Sequence, residues 1–444
     1  MSDRRGAGGR RLGHMLRAFR HRNYRLFFIG QGTSLIGTWI NRVAMSWLVY
    51  RLTGSAALLG FVGFAGQIPS FFLGPFAGVW VDRLDRYRVL LATQAAAMLQ
   101  SSVLALLALS GAIEVWHIVV LALVQGVINA FDTPARQSFV VEMVEGPEDL
   151  PNAIALNSSM FNAARLIGPS VAGILVAMVG EGWCFAIDAL SYVAVIGSLL
   201  AMKLVRRSLP ERGKQVLEEL REGFVYAFGL PPLRAILLLL ALVSFTGLPY
   251  VVLMPVMAGE VLGGGANTLG WLMSAAGVGA LTAALFLAAR RGVLGLGRLV
   301  PIAATTFGLG LCAFSLSRSL PLSLLCLTLV GAGWMIQSAS SNTILQTLVR
   351  EEMRGRVMAF YGMAILGTTP FGSLAEGALA ARIGVPWTLF LGGSICVLGA
   401  LVFARSLPRL RAAALPIYVE RGIVVPEIAT GLAEATALRN ELQE

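Results

Sequence analysis

The sequence predicts an all-α membrane protein in which twelve transmembrane helices form two six-helix bundles. Of its 444 residues, 56% are hydrophobic and only 13% are charged, whereas a soluble domain carries about 25% charged residues. Apolar stretches of about 20 residues, the length that crosses about 30 Å of hydrocarbon, recur twelve times along the chain. The basic residues are almost confined to alternate ends of these stretches. Together these observations exclude a soluble globular or disordered protein.

Five segments organise the chain around these spans. A basic segment at 1–24 precedes an N-terminal bundle at 25–204, and a linker at 205–233 leads to a C-terminal bundle at 234–407. A tail at 408–444 follows the last span. The twelve spans are placed at 25–50, 56–80, 89–110, 116–138, 152–178, 183–204, 234–258, 267–290, 296–317, 321–346, 355–381 and 386–407.

The distribution of basic residues predicts the orientation in the membrane. Thirty of the 35 Lys and Arg residues lie on the side that holds the N-terminus, which we call the basic end. Only Arg51, Arg318 and Arg382 lie at the opposite end. Cytoplasmic loops carry the excess of basic residues, so we expect a chain that crosses the membrane many times with both termini in the cytoplasm. We also expect it to act as a monomer in a bacterial inner membrane. The net charge of +11 therefore reflects placement in a lipid bilayer and does not indicate nucleic-acid binding.

The linker between the two bundles contains an amphipathic pattern. Leu217, Leu220, Phe224 and Phe228 recur at spacings of three and four residues, with charged residues on the other faces. This pattern predicts a helix on the cytoplasmic surface, which tethers the two halves or, alternatively, forms a regulatory partner site. A polar helix is also predicted at 428–442, within the tail.

A weak internal repeat supports the division into two halves. Residues 136–140 precede a glycine-containing stretch at 168–173, and residues 345–349 precede a similar stretch at 372–377. Repeated halves that bind a substrate at their interface are a recurrent design of transporters.

The turn between the second and third spans holds a dense group of charges between two apolar segments, so it must lie in water. Its residues are Gly78, Asp82, Arg83, Arg86 and Arg88. Their spacing resembles the signature loop of the major facilitator superfamily, although Asp85 stands where the usual pattern has glycine. Within that superfamily the chain is most similar to the drug:proton antiporters that include enterobactin exporters and macrolide efflux proteins. The resemblance extends to the last span and includes residues 20–25, 152–157 and 354–357.

The resemblance implies that this turn is a conformational latch. Asp82 would accept hydrogen bonds from backbone N–H groups at the start of the eleventh helix, near Gly355, and complement its dipole. Arg86 and Arg88 would bridge to nearby carboxylates. These contacts would close the cytoplasmic side and break in the inward-open state, whereas the alternative is a loop that serves only topology and solvation.

The fifth span carries Gly168, Pro169 and Gly173, which resemble a motif of the antiporters. Glycines permit close approach of helix backbones, and Pro169 removes one helical hydrogen bond. The resemblance implies a helix bend that favours export, and ordinary close packing is the alternative. The fourth span departs from the antiporter pattern, because Ala122 stands where that pattern has an arginine three residues before Gln125.

Polar and charged residues inside the spans are the remaining candidates, because a charge in hydrocarbon is costly and usually functional. Asp188 is expected to pair with Arg165 or Arg42 across the N-terminal half. Movement of that arginine would load or release a proton, and a permanent structural ion pair is the alternative. Asp132 is a second candidate for proton coupling, and Glu376 is expected to be solvated in the outer vestibule. The uncharged candidates are Gln31, Asn41, Gln125, Asn129 and Gln337.

Export of a small amphipathic organic molecule, such as a drug, a macrolide or a siderophore-like compound, is therefore the predicted function. The resemblance implies alternating access of the two bundles, driven by proton antiport. The alternatives are a transporter of lipid or lysophospholipid and a non-transporting membrane sensor. An enzyme is not predicted, because no histidine lies inside the hydrocarbon beside acidic residues and no nucleophile motif is present. The four single cysteines and three histidines give no metal, disulfide or cofactor pattern.

Overall fold

The computed structural model describes residues 17–203 apart from 145 and 147, residues 216–290 and residues 292–423. Within these ranges all regular structure is helical, as the sequence predicts. The first six helices are α1 (Arg22–Thr53), α2 (Ala56–Arg83), α3 (Arg86–Leu109), α4 (Val115–Met143), α5 (Leu150–Val179) and α6 (Glu181–Leu200). Those that follow are α7 (Val216–Gly229), α8 (Pro231–Thr246), α9 (Tyr250–Val256), α10 (Ala266–Ala288), α11 (Leu296–Leu316), α12 (Leu320–Leu348), α13 (Glu351–Gly362), α14 (Thr369–Ile383) and α15 (Val385–Glu420).

Eleven helical stretches among the described residues are long and apolar enough to cross a membrane. They cover the predicted spans from the second to the twelfth. The first predicted span corresponds to α1, which is 32 residues long but is not among the eleven. Gln31, Asn41 and Arg42 interrupt its apolar sequence and make it more polar than the other spans.

Two spans in the second half contain short π-helical turns. The seventh consists of α8, α9 and a turn at Met257–Val261, and the eleventh consists of α13, a turn at Met363–Gly367 and α14. Such turns are frequent at functional sites. The eleventh span begins at Glu351 rather than near Gly355, because Arg350 is extended and two acidic residues then complement the dipole of the first turn.

The last helix extends further than the sequence predicts. α15 runs to Glu420, whereas the predicted tail begins at residue 408. The end of α15 is held by Arg421, whose guanidinium donates a hydrogen bond of 2.6 Å to the carbonyl oxygen of Val349. The polar helix predicted at 428–442 lies outside the described residues.

The chain divides into two compact units. The first unit comprises Met1–Glu211, Val251–Gly277 and Ser373–Arg382. The second unit comprises Arg212–Tyr250, Val278–Gly372 and Ile383–Glu444. Short pieces from the seventh, eighth and eleventh spans therefore group with the N-terminal half of the chain.

The first unit has a buried aromatic and aliphatic core near the basic end of its helices. Tyr24 and Phe27 of α1 pack there with Phe139 and Met143 of α4 and with Leu199 of α6. Burial of such side chains contributes about 1.5–3 kcal/mol each. The ends of three helices are therefore fixed relative to one another within this unit.

The predicted amphipathic helix is present as α7 and packs against α13 within the second unit. The rings of Phe224 and Phe228 stack with 4.5 Å between their centroids, and both approach Phe360. Gly223 permits this contact, because a Cβ there would lie 2.9 Å from the Cβ of Arg356. The apolar face of α7 is therefore partly covered by another helix of the chain.

Candidate functional site

The turn between α2 and α3 is organised by the aspartate that departs from the superfamily pattern. Asp85 is the N-cap of α3, and its carboxylate accepts hydrogen bonds from the backbone N–H groups of Tyr87 at 3.1 Å and Arg88 at 3.4 Å. Gly78 lies inside α2 with open space where a Cβ would stand. The side chain of Asp82 lies outside the part that the structure describes, so its contact with the eleventh span stays a prediction.

The three arginines of this turn have different surroundings. Arg86 donates a hydrogen bond of 3.0 Å to Glu142 at the end of α4, and this ion pair is partly buried. Arg88 lies 3.5 Å from the carboxylate of Asp85, three residues earlier, and Arg83 is exposed. Arg86 therefore links two helices of the first unit, whereas the contact of Arg88 is local.

The glycines of the fifth-span motif stand where α5 approaches other backbones of the first unit. A Cβ on Gly168 would overlap the Cβ of Trp39 in α1. A Cβ on Gly173 would lie 2.9 Å from the Cα of Gly270 in α10, and a Cβ on Gly270 would lie 2.7 Å from the carbonyl oxygen of Pro169. The motif therefore allows close packing of α5. Its predicted role in export remains untested by this geometry.

Asp188 is held by hydrogen bonds from neutral donors and not by the direct ion pair with an arginine that the sequence predicts. Its Oδ2 accepts hydrogen bonds of 2.7 Å from Asn41 of α1 and 2.7 Å from Ser101 of α3, and the residue is 1% exposed. Among the described residues no ion pair joins Asp188 to Arg165 or Arg42. The amide of Asn41 and the hydroxyl of Ser101 therefore supply the hydrogen bonds that an arginine was expected to supply.

The two arginines of the N-terminal half lie elsewhere. The guanidinium of Arg42 lies over the ring of Trp39, 5.0 Å from its centroid, and its side chain is exposed. This is a cation–π geometry. Arg165, on α5, is partly exposed. Gln31, an uncharged candidate on α1, is buried. Neither arginine forms an ion pair with Asp188 among the described residues, but the charge of Arg42 acts on this carboxylate.

Asp132 forms a second buried network, between α3 and α4. Its Oδ1 accepts hydrogen bonds from Thr93 at 3.0 Å and from Gln94 at 2.7 Å. Its Oδ2 lies 3.5 Å from the guanidinium of Arg136, one turn further along α4. This carboxylate is therefore both hydrogen-bonded and paired with a positive charge.

The uncharged candidates also differ in their surroundings. In α4, the amide of Gln125 donates a hydrogen bond of 3.1 Å to Asn129. In α12, Gln337 is fully buried and neither its oxygen nor its nitrogen has a hydrogen-bond partner among the described residues. The buried hydroxyls of Ser340 and Ser341, three and four residues later, also lack a partner. Polar groups are therefore unsatisfied on one side of α12.

Glu376 is buried, so the prediction of a solvated carboxylate in the outer vestibule is wrong. It is 6% exposed, and neither of its oxygens has a hydrogen-bond partner in the part of the chain that the structure describes. The next residue, Gly377, packs against Gly60 of α2, because a Cβ on either glycine would lie 2.7 Å from the Cα of the other. The close approach of α2 excludes water from this side of α14.

One charged cluster was missed from the sequence, at the start of the described chain. The side chain of Asp149, just before α5, is fully buried and contacts two guanidinium groups and one imidazole. Arg17 lies at 2.9 Å, Arg20 at 2.6 Å and the imidazole of His21 at 2.9 Å. The backbone N–H of Ala18 also donates to a side chain near the start of α5. The described end of the basic segment, residues 17–21, is therefore docked on the turn between α4 and α5.

The sequence contained a signal for this contact. Residues 20–25 and 152–157 both belong to the resemblance with the antiporters, and the structure brings them together. The hydroxyl of Tyr24 donates to the carbonyl oxygen of Ala153 at 2.9 Å and lies 3.2 Å from Asn157. Two motifs of the same family that are distant in sequence are therefore parts of one contact.

This cluster predicts a pH-dependent contribution to stability. The hydrogen bond to His21 and the charges of Arg17 and Arg20 hold the pKa of Asp149 below its ordinary value of 3.8. A carboxylate whose pKa is lowered by folding stabilises the native state above its unfolded pKa and loses that effect as pH falls. We expect Asp149→Asn to melt at a lower temperature than wild type above about pH 5, with the difference shrinking below about pH 4. Thermal unfolding in detergent over this pH range measures it.

The neighbouring glutamate provides the control. The side chain of Glu148 is 77% exposed and lies 3.4 Å from Arg17. Glu148→Gln is expected to change the free energy of unfolding by less than about 0.5 kcal/mol at every pH. Equal pH profiles for the two variants would contradict the role assigned to Asp149.

The sequence is similar to known proteins along most of its length. Residues 14–427 match the family model described as transmembrane secretion effector. The chain is 25% identical over 391 residues to the Staphyloferrin A transporter of Staphylococcus aureus, covering 87% of this chain and 97% of the relative. It is 26% identical over 401 residues to macrolide efflux protein A of Streptococcus pyogenes, covering 86% of this chain and 96% of the relative.

The fold is also found among solved structures. A bacterial homologue of the human lysosomal transporter Spinster, in an inward-facing and unoccupied conformation, aligns with a TM-score of 0.66. The alignment covers 90% of this chain and 98% of that chain at 14% identity. At this identity the likeness concerns the fold alone.

Proposed function

Because the chain belongs to the transmembrane secretion effector family of the major facilitator superfamily, we propose that it exports a small amphipathic organic molecule by proton antiport. It is a multi-pass membrane transporter and not an enzyme, and in this proposal it resides in a bacterial inner membrane. The substrate class is drug-like, macrolide-like or siderophore-like. Transport proceeds by alternating access of the bundles at 25–204 and 234–407, and the protein acts as a monomer.

Buried intramembrane carboxylates are the observation that carries this proposal. Asp132, Asp188 and Glu376 are each less than a tenth exposed. Ionisable groups are costly inside a membrane and mark proton or ion pathways. An antiporter needs such a group to exchange a proton between the two sides, and this chain offers three candidates.

A contact within the first unit supports a topology of twelve spans. His21 and Asp149 touch, so they lie on the same side of the membrane and an even number of crossings separates them. The helices α2, α3 and α4 supply three crossings between them. In this proposal α1 is the fourth, and twelve crossings place both termini in the cytoplasm, where basic residues accumulate.

The signature turn acts in this proposal as the latch of the cytoplasmic side. The ion pair of Arg86 with Glu142 fixes the turn to α4, and Asp85 caps α3. In this proposal Asp82 contacts the eleventh span, as the resemblance to the superfamily implies. The latch opens when the transporter becomes inward-facing.

Proteoliposomes with an acidic interior and a trapped pH dye test the proposed export activity. A panel of macrolides, catecholate siderophores and cationic dyes is added outside, and we expect at least one compound to collapse the gradient. Liposomes without protein and liposomes without a gradient are the controls. Uptake of a compound without collapse of the gradient would contradict proton antiport. Absence of uptake for every compound would contradict the proposed substrate class.

A further inference from the structure

The three buried carboxylates of the proposed antiporter are not equivalent. Asp188 accepts two hydrogen bonds from neutral donors, and Asp132 accepts two and lies beside Arg136. Glu376 has no hydrogen-bond partner and no ion-pair partner among the described residues. A carboxylate of this kind is much less costly to bury as the neutral acid than as the anion.

The ionisable groups on the helices next to Glu376 do not pair with it, so the neutral acid remains the less costly buried form. Its neighbour α2 contains no ionisable side chain between Ala56 and Trp80. The segment of α9 and the following π-helical turn contributes Tyr250 and Glu260, and α14 itself contributes Arg382. None of these groups forms an ion pair with Glu376. Arg382 lies six residues further along α14, about 9 Å along the helix axis.

Burial of Glu376 depends on the contact between α14 and α2. A Cβ on Gly60 would lie 2.5 Å from the carbonyl oxygen of Ser373 and 2.7 Å from the Cα of Gly377. The backbones of the two helices therefore touch on both sides of Glu376 along α14. From the side of α2, water reaches the carboxylate only when the two helices separate.

We propose that Glu376 carries the exchanged proton, and that its ionisation opens the contact between α14 and α2. This inference rests on the proposed antiport function. With the proton bound, Glu376 is neutral and the two helices pack closely. Transfer of the proton to water leaves an anion that must be hydrated, and hydration separates the helices at this end of the first unit.

This role of Glu376 sets the order of the steps in the transport cycle. The contact lies near Arg382, at the end opposite to the basic end, which the proposed topology places outside the cell. Protonation from outside closes this end, and loss of the proton to the cytoplasm favours its reopening. The protonation state of one carboxylate thus determines whether the outer end of the transporter is open or closed.

The test measures access to the contact and needs no transported substrate. Ser373→Cys places a thiol at the buried contact, and Ala381→Cys places one at an exposed position of the same helix. Each purified protein in detergent is treated with a maleimide, and labelling of the parent protein is subtracted. The ratio of the two rates cancels the common effect of pH on thiolate formation.

We expect this ratio to rise about tenfold between about pH 5 and about pH 8 when Glu376 is present. In a Glu376→Gln background, which keeps the neutral shape, the ratio is expected to remain low and independent of pH. In a Glu376→Asp background, which retains a carboxylate, the rise with pH is expected to persist. A ratio independent of pH with Glu376 present, or an equal rise with glutamine, would overturn the proposal.

A transport measurement separates failure of this inference from failure of the proposed function. With ethidium as the probe, Glu376→Gln is expected to retain exchange without a gradient and to lose accumulation driven by a pH gradient. If the wild-type protein moves no compound of the panel, the export proposal is contradicted. The labelling result still tests whether ionisation of Glu376 opens the contact. Gradient-driven accumulation by Glu376→Gln at the wild-type rate would overturn the role of Glu376 and leave export intact.

Discussion

Asp188→Leu is expected to lower the free energy of unfolding by about 2–4 kcal/mol, because it leaves two buried donors without an acceptor. The amide of Asn41 and the hydroxyl of Ser101 both donate to Asp188 at 2.7 Å. These three residues stand on α1, α3 and α6, so the network connects three helices of the first unit. Unfolding in mixed micelles, followed by tryptophan fluorescence, measures the loss.

Asp188→Asn is the matched control for this prediction. Asparagine keeps an oxygen that accepts from both donors, and its amide group replaces an oxygen that has no partner. We expect a loss of about 1 kcal/mol or less. Equal losses for the leucine and asparagine variants would show that the charge of Asp188, and not its acceptor, stabilises the helices.

Gly279→Ala is expected to destabilise the second unit by about 3 kcal/mol. A Cβ at this position of α10 would overlap the carbonyl oxygen of Thr328 in α12 and would lie 2.7 Å from its carbonyl carbon. The nitrogen of Ala332 would lie 2.9 Å away. These are backbone atoms, so relief requires that a whole helix moves. The fraction of correctly folded protein after heating in detergent, measured by gel filtration, tests this prediction.

Gly197→Ala is the control, and its effect on stability is expected to be opposite to that of Gly279→Ala. Gly197 lies inside α6, and nothing stands within 4 Å of the Cβ that alanine would add. Alanine is favoured over glycine in a helix by about 0.5–1 kcal/mol, so this variant should be slightly more stable than wild type. Destabilisation of similar size at both positions would contradict the steric explanation for Gly279.

The positions of the helices followed from the sequence because apolar length is a local property. The amphipathic pattern of the linker, for example, predicted a helix from about Leu217 to Phe228, and the structure has one at Val216–Gly229. Helix ends were less predictable. The π-helical turn at Met363–Gly367 has no signal in hydropathy, because it depends on the packing of the eleventh span.

The partners of the intramembrane charges could not be predicted from the sequence. Asp188 was expected beside an arginine, since opposite charges attract, but amide and hydroxyl donors from two other helices satisfy it. Such donors are common and give no distinctive pattern. The burial of Glu376 depends on Gly60, more than 300 residues earlier in the sequence, because a small residue there allows α2 to approach.

The docking of the basic segment has a consequence for biogenesis. His21 leaves the ribosome before Asp149, which is synthesised 128 residues later. At about 5–20 residues per second, the delay is on the order of ten seconds. During that interval Asp149 is not yet present, so Arg17 and Arg20 can act as basic residues that orient the nascent chain. Their later contact with Asp149 requires that both partners lie on the same side of the membrane.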